Sequence, residues 1–242
     1  YSGTVGFAPN LGWRDAAFGT MLTELASPHV PVVVGNDADL AVLAEHSRGT
    51  ARNHSEVVYL MGRTGVGAGI IVNGLPLRGY DGHAGEIGHT VLDPSGPICH
   101  CGKRGCLETF VGDHALLELA GRPSGHSDHE SPAVFAAARE GDSRSMAAVR
   151  QVAGSLGQVL GGLVNTLNPE LVLLGGTFAE VLELARPEVE AALERNMFNA
   201  PGAKVVLSTP GLGEDSALVG AAEIAFATLL ADPLGGRALA AR

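Results

Sequence analysis

The sequence predicts an α/β fold on a sheet that is at least partly parallel. Three observations carry this. Short aliphatic runs alternate with segments of helical periodicity; residues 171–174 are apolar throughout, as a strand covered on both faces must be; and glycines cluster beside such runs, where turns at a ligand site fall. Residues 30–34, rich in valine, read as a strand ending at Gly35, and residues 38–46 follow as a helix with Leu40, Leu43 and Ala44 at helical spacing. Residues 57–61 and 68–72 are β-rich runs around a glycine-rich loop. Asn73-Gly74, the strongest short hairpin signal, leads into a strand over 75–78, so an antiparallel meander is expected. From 77 to 110 the chain is rich in Gly, Pro, His and Cys and lacks periodicity, too long for an ordinary connection unless functional or held by a covalent or metallic link. Helices over 113–120 and 131–140 flank a polar stretch, 121–130, expected as a mobile loop. A long helix then carries Val149, Val152, Leu156, Leu160 and Leu163 on one stripe, with Gly154, Gly157 and Gly161 spaced to allow close backbone approach, and stops at Asn168-Pro169. Strand 171–174, helix 178–195, strand 205–208 and helix 216–230 complete the pattern.

Composition narrows the function. The chain has 242 residues, 45% hydrophobic and 17% charged, with mean hydropathy +0.19, which fits a packed globular protein and excludes a disordered tail. A net charge of −10 opposes non-specific attraction to phosphate backbones, so no nucleic-acid contact is expected from these residues. Apolar runs fall well short of the ~20 residues that cross a bilayer, and the start lacks a basic, apolar leader, so a soluble cytoplasmic protein without membrane contact is expected. The chain begins at Tyr1, not Met, and is expected to be part of a longer protein.

Three constellations suggest chemistry. All three cysteines fall within Cys99-His100-Cys101-Gly102-Lys103-Arg104-Gly105-Cys106, an odd cluster that disulfides explain poorly and metal binding explains well. Three thiolates need one more ligand for a closed tetrahedral Zn²⁺ site. His89 is preferred to His100, which lies between two ligands and would strain the loop; such a closed shell implies a structural ion. Among the acids, Asn36 and Asp37 sit between a predicted strand and helix, where they either face a ligand or cap the helix. Glu86 and Glu108 bracket the cysteine loop, and folding it around a metal would bring both carboxylates together to accept from polyol hydroxyls. Among the glycines, Gly62-Arg63-Thr64-Gly65-Val66-Gly67-Ala68-Gly69 follows a strand but lacks a P-loop ending, and Gly175-Gly176 either packs on a nucleotide or opens a helix.

Asn36-Asp37, Gly65-Val66-Gly67-Ala68-Gly69, Glu86-Ile87-Gly88-His89, the Cys99, Cys101, Cys106 cluster with Glu108, and Asn168-Pro169-Glu170 to Gly175-Gly176 occur in an order that resembles the ROK family of sugar kinases and repressors over nearly the whole chain. The resemblance implies an actin-like, hexokinase-like ATPase fold, with two α/β domains around a cleft and the N-terminal part absent. Residues 1–52 would be the remainder of the small domain, 53–215 the large domain with the zinc loop, and 216–242 a C-terminal helix packing back on the small domain. It implies Zn²⁺ on His89, Cys99, Cys101 and Cys106, and sugar contacts from Asn36, Asp37, Glu86, His89 and Glu108. It also implies weak or vestigial nucleotide contacts from Thr64, Gly65, Gly175 and Gly176, and Asp37 as catalytic base if the protein is a kinase. Two departures point to a branch: no Asp-x-Gly-Gly-Thr phosphate loop occurs, and the family's Gly-Thr-Gly reads Arg63-Thr64-Gly65. Phe7-Ala8-Pro9-Asn10-Leu11-Gly12-Trp13-Arg14-Asp15 also resembles the repressor-type members. The expectation is therefore the sugar-sensing part of a transcriptional regulator, a homodimer or homotetramer whose DNA contacts lie in a winged helix absent from this sequence. The alternative is an ATP- and Mg²⁺-dependent sugar kinase; a weaker third reading is a thiol-based redox sensor.

Overall fold

In the computed structural model, which describes residues 3–8, 11–26, 32–123, 130–198 and 204–233, the chain opens with an antiparallel hairpin, β1 (Val5–Ala8) and β2 (Trp13–Ala16), and helix α1 (Phe18–Ala26). Periodicity gave no sign of this unit. Its strands have four residues each, and it gains ring contacts: Trp13 tilts onto Phe18 at 5.1 Å between centroids, and the Arg14 guanidinium stands 4.8 Å over Phe7. The strand expected over 30–34 needs correction. Residues 32–36 pair with no strand among the described residues and Val33 is 48% exposed, while residues 30 and 31 lie outside the described residues. A β-branched run becomes a strand only where a ladder partner exists.

Helix α2 (Asp37–Arg48) precedes a five-stranded sheet ordered β5-β4-β3-β6-β7, where β3 is Val57–Gly62, β4 Val66–Val72, β5 Leu75–Pro76, β6 Leu171–Gly176 and β7 Val206–Ser208. β3 runs antiparallel to β4 and parallel to β6, and β6 parallel to β7, so the sheet is mixed as expected. Asn73 and Gly74, both at positive φ (52° and 74°), make the turn between β4 and β5, the backbone twist a two-residue hairpin requires. The expected strand 75–78 is only two residues long.

Alternate residues of the central strands feed two cores. Val58, Leu60, Ile70, Val172 and Leu174 pack under the later helices, while Val57, Tyr59, Ile71, Leu171 and Leu173 pack with Ala41 and Val42 of α2. Burial on both faces is why these strands read as unbroken apolar runs. Helices α3 (Glu108–Val111), α4 (Asp113–Leu119), α5 (Ser131–Arg139), α6 (Ser143–Leu167) and α7 (Thr177–Asn196) belong to the first core, and α8 (Ser216–Ala231) lies along α2. α6 starts on Asp142, which accepts from Ser145 N at 2.8 Å, and ends on Asn168 in the left-handed region (φ 47°) before Pro169. α7 bends at Ala185, two residues before Pro187. A Cβ on Gly157 or Gly161 would stand 2.7 Å from Ala192 Cβ or 2.6 Å from Asn196 Cβ, so both glycines admit α7; Gly154 faces open space. Of the stretch 121–130, residues 124–129 lie outside the described residues, as do 234–242 of the C-terminal segment. α2, expected with the small domain, rests on β4, where a Cβ on Gly69 would meet Val42 Cγ1 at 2.7 Å. No helix among the described residues is long and apolar enough to cross a membrane.

Candidate functional site

Segment 77–107 lies against β4 through two glycines. Gly85 (φ 93°) meets the backbone of Ala68, and Gly88 that of Val66, so the single helical turn Ile87–His89 is pressed to the strand and His89 is fixed. The chain then doubles back. Leu92 N donates to Gly105 O at 2.7 Å, Cys99 N to Lys103 O at 2.8 Å and Leu107 N to Thr90 O at 2.8 Å, and Val91 bridges Cys106. This returns the three cysteines, which lie in irregular backbone just before α3, to one histidine.

His89 Nδ1 stands 3.5 Å from Cys99 Sγ, and Cys101 Sγ 3.7 Å from Cys106 Sγ; the four ligand atoms all lie within 4.8 Å of one another. A tetrahedral ion with Zn–S near 2.3 Å and Zn–N near 2.0–2.1 Å needs ligand edges of about 3.5–3.8 Å. The cluster therefore matches a metal cradle in donor type and size. His100 is not part of it: it lines a separate cavity of about 180 Å³ with Thr64, Glu108, His114 and Glu118. Burial pushes the Cys99 thiol up, with Glu108 adding to it, and pushes Cys106 up together with Cys101. At Cys101 burial acts the same way, but hydrogen bonds from Lys103 N–H and the neighbouring thiols outweigh it and hold the group below its ordinary value.

Carboxylates surround the histidine. Glu86 Oε2 lies 4.0 Å from His89 Nε2; Glu108 Oε1 lies 4.0 Å from His89 Nδ1 and accepts from the Cys99 thiol at 2.8 Å. Glu108 is buried on α3 while Glu86 is exposed, so the pair spans the inside and the mouth of one place. At the head of α2, Asn36 Oδ1 accepts from Ala38 N (2.9 Å) and Asp39 N (3.2 Å): it caps the helix, leaving only its amide for a ligand. Asp37 is exposed next to it, its Oδ1 accepting from Ala38 N at 2.9 Å. The sequence reading missed Asp39. Half-buried two positions beyond Asp37, its carboxyl is pushed up to about 6 by burial, against the Arg78 guanidinium and with help from Asp37 and Glu86. A Cβ on Gly67 of β4 would stand 3.9 Å from Asp37 Oδ1, and Gly85 and Gly88 press on Ala68 and Val66 of the same strand, so the head of α2 and the turn bearing Glu86 and His89 both lie against the start of β4. The repeated acid in Asn36-Asp37-Ala38-Asp39 was the available signal, but it reads equally as first-turn charge on a helix.

The two glycine features meet at the carboxyl ends of β3 and β6, in register at Gly62 and Gly176. Gly176 takes φ 58° and opens α7, and Thr177 Oγ1 donates to Asp113 Oδ1 at 2.6 Å. Gly175 packs under Tyr59 and Pro210. A cavity of about 220 Å³ there is lined by Arg63, Asp113, Arg139, Thr177, Glu180 and Glu214 among others, including Gly176. Thr64 lines the other cavity, beside Glu108, while its neighbour Arg63 lines the one at Gly176.

The sequence model of the ROK family matches residues 1–228. The chain is 32% identical over 241 residues to the glucokinase of Thermotoga maritima, covering 92% of this chain and 74% of that protein. It is 29% identical over 218 residues to the xylose repressor of Bacillus subtilis, covering 90% of this chain and 56% of the repressor. Among solved structures it is similar to a ROK family glucokinase from Streptomyces griseus in complex with glucose and AMPPNP, with TM-score 0.81, 30% identity, and 91% of this chain and 76% of that chain covered.

Proposed function

We infer the function from one premise: the chain belongs to the ROK family. On that premise it is a carbohydrate-binding module of the family with a structural zinc, and acts as the effector-binding part of a transcriptional regulator. The observation that carries the sugar site is that Glu86 and Glu108 each lie 4.0 Å from a ring nitrogen of His89, on a turn pressed to the same end of β4 as the acidic head of α2. Asn36, Asp37, Glu86, His89 and Glu108 would take sugar hydroxyls, since carboxylates accept and amide N–H groups donate to a polyol. Zn²⁺ would be held by His89, Cys99, Cys101 and Cys106, the cradle having the right donors and edges. With Nδ1 turned toward Cys99, His89 presents Nε2 toward Glu86, so the metal would orient the ring for the ligand. The regulator reading is favoured by Arg63 standing where the family's second phosphate loop has glycine, which removes the close backbone approach that loop makes, and by the three carboxylates around the cavity at Gly176; DNA contact and self-association would belong to the intact protein. The second reading, an ATP- and Mg²⁺-dependent sugar kinase with Asp37 as base, is favoured by the exposed position of Asp37 and by the glucokinase likeness.

Calorimetry on the zinc-loaded protein with D-glucose and D-xylose tests the sugar site. Glu86→Ala should weaken binding by about 1–3 kcal/mol, that is about five- to 150-fold. Unchanged affinity in that variant removes the assignment. In the intact protein, a sugar-dependent change in DNA affinity is the outcome expected of a regulator.

A further inference from the structure

Two carboxylates are buried among the described residues: Glu108, which belongs to the site above, and Glu45, which does not. Glu45 sits on α2 with no exposed surface, two turns beyond Asp37. Its Oε2 accepts from Thr50 N (2.8 Å) and Gly211 N (3.0 Å), and its Oε1 from Leu212 N (2.8 Å) and Ser216 Oγ (2.9 Å). Each oxygen therefore faces two donors, and all four are neutral; the single Ser216 hydroxyl proton is shared with Gly213 O, 2.8 Å away. A charge taken wholly out of water is costly unless such hydrogen bonds replace its hydration, so the arrangement is a demanding one for a residue that only fills space.

The donors show what is being held. Thr50 closes the turn after α2; Gly211 and Leu212 belong to the connection from β7, and Ser216 is the first residue of α8. Glu214, in the same connection, lines the cavity with Arg63 and Thr177. Further along, Ser47 Oγ donates to Glu223 Oε2 at 2.6 Å, Arg48 pairs with Glu223, and Gly220 presses on the backbone of Leu40. The surface contacts are exposed and weak, whereas the Glu45 carboxylate that anchors the clamp is wholly buried. α2 is thus a rigid rod with Asn36 and Asp37 at its head and, about 12 Å away at 1.5 Å per residue, a buried grip on the start of α8.

We propose that Glu45 is a positioning residue that locks α8 to α2, so that a sugar held at the head of α2 is felt at the start of α8. The proposal rests on the sugar-binding reading above. Its test is amide hydrogen exchange over residues 211–220 in the zinc-loaded full chain, with and without saturating D-glucose or D-xylose, for wild type, Glu45→Gln and Ser216→Ala. Gln keeps the shape but replaces one oxygen by an NH₂ facing two N–H or O–H donors, so one pair of bonds is lost. In wild type, sugar should slow exchange over 211–220 by about fivefold or more. In Glu45→Gln exchange there should be faster and no longer respond to sugar, while calorimetric affinity stays within about threefold. A merely structural role predicts faster exchange with the sugar-dependent ratio intact, and that result overturns the proposal. If Glu45→Gln does not fold, Ser216→Ala, which removes a single donor, should at least halve the sugar response; a wild-type response there overturns the proposal too. Sugar binding to wild type without any change over 211–220 overturns the coupling and leaves the sugar site standing. Absence of binding by either sugar overturns both.

Discussion

Asp39 is ionised at neutral pH only against resistance. Its folded-state pKa of about 6 lies above the ordinary 3.8 because burial and the neighbouring Asp37 and Glu86 charges oppose ionisation more than Arg78 favours it. A carboxyl raised in this way binds its proton more tightly folded than unfolded, so its contribution falls as pH rises from about 4 to about 6 and stays unfavourable above. Asp39→Asn should therefore raise the melting temperature, and the gain at pH 7.5 should be roughly twice that at pH 5, where the folded-state carboxyl is already mostly protonated. Thermal melts of the two proteins at both pH values check this; an equal gain at both would mean that the cost of ionising a half-buried carboxyl is not the cause. The same residue shows what a sequence can disclose. Cys99, Cys101 and Cys106 announce themselves because metal ligands close in sequence need no fold to be near each other. Asp39 acquires its character only when the loop carrying Arg78 and Glu86 folds across α2, a contact no local pattern encodes. Asn36 lies between: both of its readings were visible, and the structure shows it capping the helix.

Elements built from local rules were legible, and those needing partners were not. β6 and α6 were readable because an apolar run and a 3.6-residue stripe carry their own evidence of burial. The run at 30–34 misled because valine content cannot supply a neighbouring strand, and the β1–β2 hairpin escaped because four-residue strands leave no period to detect. Two predictions belong at this scale. The loop from His89 to Cys106 has few apolar residues to hold it, so one zinc per chain should be found, Cys101→Ser should lose most of it, and chelation should lower the melting temperature. Metal analysis by mass spectrometry beside a thermal melt measures both, and full zinc in Cys101→Ser would end the four-ligand assignment. The seam between β4 and α2 is equally constrained. Gly69→Ala would drive a methyl into Val42 and the backbone of Ala38, costing about 1–3 kcal/mol and displacing the head of α2. Sugar affinity should fall together with stability, whereas a packing defect that left Asp37 in place would lower stability alone.

Across the whole molecule, the order of the motifs revealed the family, but the branch depends on a cavity assembled from separate elements. Arg63 comes from the β3–β4 turn, Asp113 from α4, Arg139 from α5, Glu180 from α7 and Glu214 from the connection before α8. No stretch of sequence displays their sum, which is three carboxylates against two guanidiniums in about 220 Å³. Arg139 is further engaged by Glu180 at 2.5 Å and Glu183 at 2.9 Å. Phosphoryl transfer relies on positioning and on cationic or N–H stabilisation of the phosphates more than on the base, so Asp37 alone achieves little beside such a cavity. Of its two guanidiniums, Arg139 is already paired with Glu180 and Glu183, which leaves Arg63 as the cation facing a nucleoside triphosphate, at a position where the family's phosphate loop has glycine. The expected outcome is a protein that binds sugar and does not phosphorylate it: no turnover in a coupled assay with ATP and Mg²⁺ over D-glucose, D-xylose and N-acetylglucosamine, while calorimetry still detects the sugar. Turnover that vanishes in Asp37→Asn would establish the kinase instead. Arg63 would then have to act as a phosphate ligand, and Arg63→Ala, expected to be silent for a regulator's sugar binding, would abolish that turnover.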